Sequence, residues 1–332
     1  MKDKILLTGV KPTGTPHLGN LIGAIDPILN FSKTAQKTFV FIADLHALNF
    51  VRNKENLKRD TYEIAAIFMA LGLDLEKSVL FRQSDIPQVP QIASLLMNVT
   101  PKGLMNRAHS YKALVEKNTS AGVDPDDGIN MGLYTYPILM AADILAYQAD
   151  AVPVGKDQKQ HLEFTRDIAG SFNHLYGKDL FKLPTPLISE ETGIIPGLDG
   201  RKMSKSYQNV IPIFCDEKTL QKSIMKIKTD CKLPNEPKDP DSSTLIQLYT
   251  CFATAEQTRE MRHLFETGGI GYGDAKKMLF DVINQKLAEP REKYTDLIHH
   301  PAQIDAVLEE GARKARPIAQ QTLEMMRRVM IG

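Results

Sequence analysis

Short apolar runs alternate with longer amphipathic stretches through the first half of the chain. The apolar runs, which have the length of buried strands, lie at residues 4–10, 38–43 and 79–83. The stretches between them, which repeat apolar positions at helical spacing, lie at residues 19–33, 55–72 and 87–98. This alternation predicts βαβ units and therefore a parallel sheet, in which ligands bind at the carboxyl ends of the strands.

The middle of the chain continues this alternation after one interruption. Residues 115–127 are polar and rich in Gly and Asp, and they predict either a mobile loop or a simple linker. A helix is predicted at 132–148, a strand at 151–155 and a further helix at 157–176.

The remainder of the chain has a different pattern. After about residue 212 strand signals vanish, and helical patterns continue to the C-terminus with a glycine-rich break at 268–273. We therefore predict an α/β fold with a Rossmann-type parallel sheet as its nucleotide-binding domain, plus an α-helical domain.

Composition restricts the function only weakly. The 332 residues are 42% hydrophobic and 24% charged, which is typical of a globular chain with two domain cores. The net charge of +1 does not predict nucleic-acid binding, so any RNA contact would need local basic patches. The sequence contains no signal-peptide pattern and no apolar stretch of the roughly 18 residues that a membrane span needs, so we expect a cytoplasmic protein. Three widely spaced cysteines predict neither disulfides nor a metal site.

A glycine-containing loop, residues 9–20, follows the first predicted strand and opens a helix, a position that favours anions. It is not a P-loop, because Thr15 and Pro16 stand where that motif needs Lys and Ser or Thr, and it lacks the G-x-G-x-x-G pattern. His17-Leu18-Gly19-Asn20 is similar to the HIGH element of class I synthetases and related nucleotidyltransferases, with a structural turn as the alternative. The resemblance implies that the His and the terminal polar residue bind triphosphate and ribose, while Gly lets adenine lie against the backbone.

A second loop, Lys202-Met203-Ser204-Lys205-Ser206, places two lysines three residues apart between glycine-rich flanks. An exposed basic turn is one interpretation, but the five residues match the KMSKS signature of class I synthetases. In the reaction that this resemblance implies, a carboxylate attacks the α-phosphorus of ATP, and ammonium groups neutralise charge on the departing pyrophosphate. We therefore expect Lys202 and Lys205 at the β- and γ-phosphates, Mg²⁺ bound with ATP, and no covalent nucleophile.

The predicted helix at 132–148 carries a candidate specificity group. Tyr136, Met140 and Asp143 fall on one face, and a buried Asp on an apolar face requires a hydrogen-bond donor. An indole N–H or a tyrosine hydroxyl could donate to it, and a salt-bridged structural Asp is a further alternative. The segment 140–145, followed by 152–167, looks like the tryptophanyl-tRNA synthetase family, and the resemblance covers the whole chain.

The resemblance implies a set of site residues. The expected tryptophan pocket consists of Gly9, His46, Tyr136, Met140, Asp143 and Gln158. The expected ATP-binding residues are Lys11, Pro12, Thr13, Gly19, Asn20, Gly155, Lys156, Asp157, Ile194, Lys202, Met203, Ser204, Lys205 and Ser206. Catalysis is expected to involve Lys202, Lys205, His17 and Lys11. Without the resemblance, His46 is equally well interpreted as a core histidine.

Five positions depart from the pattern of many bacterial family members. Lys11 replaces Gln, His17 replaces Thr, Lys156 replaces Glu, and residues 207–208 are Tyr-Gln instead of Asp-Pro. Our hypothesis is that Lys11 adds a fixed positive charge near the α-phosphate and lessens the dependence on Mg²⁺ positioning, with a surface lysine as the alternative. Lys156 puts the usual ribose contact in doubt.

The resemblance also implies a domain plan and partners. Residues 1–192 would form the catalytic domain, with a dimer-forming insert at about 100–175 and the C-terminal helix at about 300–332 joined to it; 193–210 would be the KMSKS loop, and 211–299 the anticodon-binding domain. The expected partners are L-tryptophan, ATP, tRNA(Trp) and a second copy of the chain. Cations of the C-terminal helical patterns that could contact RNA phosphates, or could simply be solvated, are Lys276, Lys277, Arg313, Lys314, Arg316, Arg327 and Arg328.

Three other functions stay open at this point. A tyrosyl-tRNA synthetase shares the fold and the reaction. A small-molecule adenylyltransferase would not need the intact lysine loop and the long helical tail. An inactive RNA-binding paralogue would show decay in one of the two ATP loops, and both are intact.

Overall fold

The computed structural model describes residues 2–155, 159–177, 179–188 and 194–332. Its strands are β1 (Ile5–Val10), β2 (Lys37–Ile42), β3 (Ser78–Arg82), β4 (Ala151–Pro153) and β5 (Thr185–Leu187). They form one parallel sheet in the order β3-β2-β1-β4-β5. The order reverses between β1 and β4, which is the switch point where open parallel sheets bind ligands at their carboxyl ends. The predicted α/β fold with a Rossmann-type sheet is therefore confirmed.

Helices cover the sheet and account for the second half of the chain. In the first half they are α1 (Leu18–Asn20), α2 (Asp26–Thr34), α3 (Asp44–Ala47), α4 (Lys54–Ala70), α5 (Gln88–Met97), α6 (Lys102–Met105), α7 (His109–Ser120), α8 (Met131–Leu145) and α9 (Lys159–Tyr176). In the second half they are α10 (Glu217–Met225), α11 (Thr244–Thr250), α12 (Ala255–Thr267), α13 (Tyr272–His299) and α14 (Pro301–Met330). Among the described residues, no helix combines the length and the apolar character that crossing a membrane would require.

The apolar strand β2 shows why the sheet is buried on both faces. Phe39 and Phe41 point into one hydrophobic cluster, and Val40 and Ile42 point into the other. Successive side chains of a strand alternate between faces, so an uninterrupted apolar run indicates that both faces are covered. The sheet therefore lies between two helical layers, and only its strand ends are available to ligands.

The last helix, α14, lies along the outermost strand β3. Its first half contributes Ile304 and Leu308 to one cluster, and its second half contributes residues such as Leu323 to the other. At the crossing point Gly311 lies so close to the strand that an added Cβ would overlap the Leu80 carbonyl. Only glycine allows this approach between helix and strand backbones.

Two sequence predictions differ from the structure. The polar segment 115–127 predicts a loop, but α7 continues to Ser120, because its polar residues are compatible with an exposed helix that packs on α8 through Tyr111 and Tyr134. Strand β5 is absent from the prediction, since it has three residues, contains Pro186 and is only partly buried, so it has no apolar run to detect.

Candidate active site

Two cavities meet at the carboxyl end of β1. The first, of about 210 Å³, lies between β1, β2 and α8, and its lining includes Gly9, His46, Tyr136 and Met140. The second, of about 280 Å³, lies under the glycine loop. Lys11 lines both cavities, so one side chain stands at their junction. Each space is large enough for a small-molecule group and is built on the strand ends where the fold predicts binding.

Part of the wall of the first cavity is apolar. Leu7, Phe41, Ile144 and Val152 contribute to it. An added Cβ at Gly9 would overlap the Phe41 ring, so this position must be glycine for the ring to keep its place. The result is a slot that suits a planar aromatic group.

A buried carboxylate lies behind the inner wall of this slot. Asp143 is 2% exposed, and its oxygens lie 2.9 Å from His46 Nε2 and 2.9 Å from Gln83 Nε2. Burial raises the pKa of Asp143, while the hydrogen bonds from His46 and Gln83 oppose that rise. Asp143 can accept further hydrogen bonds, because an ionised carboxylate has about four acceptor positions.

Hydroxyl and imidazole groups form a polar cluster elsewhere in the same cavity. The Tyr136 hydroxyl lies 3.1 Å from His161 Nδ1 and 3.4 Å from the Ser110 hydroxyl. The two rings pack edge to face with centroids 5.3 Å apart. This cluster is suited to binding the polar part of an amino acid.

The second cavity combines a glycine loop with a neutral histidine. Gly14 has φ = +89°, a conformation that favours glycine, and His17 precedes α1 with its backbone N–H donating to the Asn20 side chain. Burial, with a smaller contribution from Lys205, lowers the pKa of His17 to about 4. Its buried Nδ1 has no hydrogen-bond partner among the described residues. His17 is therefore an uncharged group that is available to a ligand at neutral pH.

The lysine loop closes over this cavity. The Met203 N–H donates to Ile195 O at 2.8 Å, its sulfur lies 3.2 Å from the Gly19 nitrogen, and Lys205 Nζ donates to Thr13 O at 2.9 Å. Much of the Lys205 side chain is exposed, but burial around the ammonium group lowers its pKa. In this arrangement the Met203 side chain covers the backbone of Gly19.

Asn209 stabilises the conformation of the lysine loop through hydrogen bonds to its backbone. It is 3% exposed, accepts a 2.8 Å hydrogen bond from the Ser204 N–H, and donates to Lys202 O at 3.1 Å and to the Asp199 carboxylate at 2.6 Å. An added Cβ at Gly197 would overlap the Asn209 side chain. The glycine flanks of the loop thus make room for this internal hydrogen-bonding group.

Ten of the predicted site residues line the two cavities, namely Gly9, Lys11, Thr13, His17, Asn20, His46, Tyr136, Met140, Ser204 and Lys205. Lys202 and Ser206 are exposed and line neither cavity, and Pro12, Gly19, Asp143 and Met203 do not line them either. Ile194 is 74% exposed and lines a separate surface depression with Pro240 and Arg262. Gly155 ends the segment after β4 without lining either cavity, and Lys156, Asp157 and Gln158 lie outside the described residues.

Several residues of the site were not selected from the sequence. Gln83 stands at the end of a predicted strand, and that position could have identified it as a ligand-facing residue. Asp60, whose carboxylate accepts a hydrogen bond from the Gly14 N–H of the glycine loop, had no comparable signal. The same holds for Asn209, Ser110 and His161, because the roles of all four residues depend on contacts with distant segments.

Comparison with known proteins agrees with this geometry. A family model described as tRNA synthetases class I (W and Y) matches residues 2–288. The tryptophan--tRNA ligase of Pseudomonas aeruginosa is 50% identical over 326 residues, which cover 97% of this chain and 72% of that protein. The ligase of Neisseria meningitidis is 48% identical, covering 98% of this chain and 97% of that protein.

A solved structure extends the similarity to the fold. The tryptophanyl-tRNA synthetase of Campylobacter jejuni, crystallised with ADP and tryptophan, superposes with a TM-score of 0.87 at 40% identity and covers 98% of both chains. The similarity is shared by sequence, motifs and three-dimensional structure. The chain therefore belongs to the class I tRNA synthetases and, within them, to the tryptophanyl-tRNA synthetase family.

Proposed function

We propose that the chain activates L-tryptophan with ATP, releases diphosphate, and transfers the tryptophanyl group to tRNA(Trp). The observation that carries this proposal is the junction of two cavities at Lys11: an apolar slot backed by a carboxylate meets a cationic cavity under a glycine loop. An activating enzyme needs its amino-acid carboxylate and the α-phosphate of ATP at one point. Lys11 occupies that point.

The slot suits tryptophan in shape and hydrogen bonding. The indole ring lies between the walls at Gly9 and Met140, and its N–H donates to the buried Asp143, which already holds His46 in place. The ring nitrogen has a hydrogen to donate and no lone pair for accepting one, so a carboxylate is its natural partner. The hydroxyl of Tyr136, which lines the same cavity, would accept a hydrogen bond from the amino group of the substrate.

The triphosphate lies in the second cavity, among Lys11, His17 and Lys205. A carboxylate oxygen of tryptophan attacks the α-phosphorus, the bond from that phosphorus to the bridging oxygen breaks, and diphosphate takes the electron pair. Lys205, with Lys202 brought in by the same loop, neutralises charge on the leaving group, and neutral His17 donates a hydrogen bond to it. For adenine to rest on Gly19, the Met203 side chain must first move aside.

Mg²⁺ is proposed to bind together with ATP. Within the described parts of the chain, no group of three or more His, Cys, Asp or Glu side chains could hold a metal ion. The side chains that line the phosphate cavity are cationic or neutral, which fits an anionic ligand whose own oxygens coordinate Mg²⁺. Gly155, Lys156 and Asp157 are proposed to contact the ribose, and Ile194 to contact the adenine when the lysine loop moves.

The remaining parts of the proposal concern the macromolecular partners. Residues 1–192 with the C-terminal helix are proposed as the catalytic domain, and 211–299 as the domain that binds the anticodon. The chain is proposed to form a homodimer through the insert at about 100–175. It is proposed to act in the cytoplasm. The exposed cations of α13 and α14 are candidates for contacts with tRNA phosphates.

Amino-acid-dependent exchange of pyrophosphate into ATP tests the proposal. Exchange with tryptophan and none with tyrosine is the expected result. Exchange with tyrosine alone would show that the chain is specific for tyrosine, as a tyrosyl-tRNA synthetase is. Exchange with neither amino acid would favour an inactive RNA-binding paralogue. Because the chain contains no tryptophan, the fluorescence of bound ligand gives an independent binding measurement without protein background from indole.

A further inference from the structure

A buried carboxylate lies directly behind the glycine loop. Asp60, on the face of α4 that is turned towards the loop, is 3% exposed, and its Oδ2 accepts a 2.6 Å hydrogen bond from the Gly14 N–H. Gly14 has φ = +89°, so the loop needs a conformation that other residues adopt only with strain. Asp60 therefore fixes the turn of the loop that borders the phosphate cavity.

Lys205 lies on the other side of the same glycine. A Cβ at Gly14 would lie 3.0 Å from Lys205 Nζ, and Nζ donates to the neighbouring Thr13 carbonyl at 2.9 Å. Gly14 thus separates a buried carboxylate from the ammonium group of the lysine loop. The absence of a side chain at Gly14 allows both groups to approach the loop backbone.

The carboxylate side of this arrangement carries excess negative charge. Glu63, one turn further along α4, has a buried Oε2 without a hydrogen-bond partner among the described residues. Arg59, which is largely exposed, lies 2.8 Å from Asp60 and 3.9 Å from Glu63. One exposed cation therefore faces two carboxylates, which leaves a negative potential directed through the loop towards Lys205.

We propose that Asp60 is a positioning residue for Lys205: it fixes the glycine loop through Gly14, and its charge holds the ammonium group at the edge of the phosphate cavity before the nucleotide binds. The Lys205 side chain is then already placed for the leaving group. This inference rests on the proposed role of Lys205 at the β- and γ-phosphates.

The charges around Lys205 give this role a measurable consequence. Burial lowers the pKa of Lys205, and the carboxylates of Asp60 and Glu63 act in the opposite direction. On the cavity side, the ionisable groups that share the lining with Lys205 are Lys11 and His17, and His17 is neutral. Removing the charge of Asp60 should therefore lower the pKa of Lys205 further and reduce its protonated fraction at alkaline pH.

The decisive experiment is a double-mutant cycle of Asp60→Asn and Lys205→Ala in tryptophan-dependent pyrophosphate exchange. Asn keeps an oxygen that can accept from Gly14, removes the charge, and puts an NH2 donor in place of the oxygen that accepts from the largely exposed Arg59. We expect D60N alone to lower kcat by about tenfold, which corresponds to roughly 1.4 kcal/mol, without changing the KM for tryptophan, and to move the alkaline limb of kcat to lower pH. In the Lys205→Ala background, D60N should change kcat by less than about twofold.

Each outcome separates this inference from the proposed function. If K205A lowers exchange and D60N costs the same factor in both backgrounds, the positioning role is wrong while the role of Lys205 stands. If K205A leaves exchange unchanged, the proposed phosphate site itself is wrong. Glu63→Gln, which does not touch the loop backbone, serves as the second variant in case D60N unfolds. It should move the alkaline limb in the same direction by less, and an unmoved limb would overturn the inference.

Discussion

The imidazole Nε2 of His46 lies 2.9 Å from a carboxylate oxygen of Asp143, and this pair closes the inner end of the amino-acid slot. His46 lies in α3, which directly follows β2, and Asp143 lies in the second half of α8, so the contact links the strand end of the sheet to the helix that covers it. Gln83, from the end of β3, donates to the same carboxylate. The carboxylate that we propose as the acceptor for the indole N–H is thus held by donors that follow β2 and β3.

Replacing this acceptor should affect tryptophan and spare ATP. In Asp143→Asn, an amide donor would face the donors of Gln83 and His46, which costs roughly 1 to 3 kcal/mol for a buried mismatch. We expect the KM for tryptophan to rise about tenfold or more and the KM for ATP to stay within about twofold. Asp281→Asn, the same substitution at an exposed position of α13 outside both cavities, is the matched control and should change either constant little. Equal rises in both constants would contradict the assignment.

We expect Lys11 to supply part of the positive charge at the phosphates that Mg²⁺ would otherwise supply. Lys11→Gln should lower kcat for tryptophan activation and make the rate depend more steeply on Mg²⁺, because a fixed cation at the junction of the two cavities is lost. Exchange rates measured across a Mg²⁺ titration test this. Lys33→Gln, on the exposed side of α2, is the control. An unchanged rate and an unchanged Mg²⁺ dependence in K11Q would refute the idea.

The neutral state of His17 should make stability depend on pH. The pKa of its imidazole is about 4 in the folded chain, against 6.5 for an unperturbed histidine, so the unfolded chain binds more protons between these values. The stabilisation is complete above about pH 6.5 and is lost as pH falls towards 4. At pH 5 the loss is about 2 kcal/mol. Urea unfolding at pH 7 and pH 5 measures how much unfolding free energy is lost on acidification. The loss should be about 2 kcal/mol smaller in His17→Asn than in the parent chain. Equal losses in the two proteins would contradict the prediction.

The contact of Gly311 with Leu80 should make this glycine intolerant of a side chain. A Cβ at that position would overlap the strand carbonyl, so Gly311→Ala must push α14 away from β3 and should destabilise the chain by about 2 kcal/mol or more. Gly273→Ala, also in a helix but with no heavy atom within 4 Å of the added Cβ, is the control and should be neutral or slightly stabilising. Thermal unfolding of both variants measures the difference, and similar melting temperatures would show that the helix yields easily.

The sequence predicted those elements that a short stretch of neighbouring residues determines. Strands β1, β2 and β3 were predicted within one residue, because each is a buried apolar run. The lysine loop was predicted because the motif that identifies it consists of five consecutive residues. Asp60 and Asn209 were not found, since each acts on a backbone group whose partner segment is brought near only by the folded chain. Which loop residues face a cavity also depends on the folded chain: Ile194 and Lys202 line neither cavity in this structure, and their contacts with ATP stay predictions.

The packing of α14 on β3 has a consequence during synthesis of the chain. An outer strand presents unpaired backbone groups that can pair with another chain until something covers them. The cover over Leu80 is centred on Gly311, which a ribosome adding about 5 to 20 residues per second reaches on the order of ten seconds or more after the strand. During that interval, each nascent chain exposes a strand edge that the finished enzyme never shows, and the edge is at risk of pairing with the strands of neighbouring nascent chains.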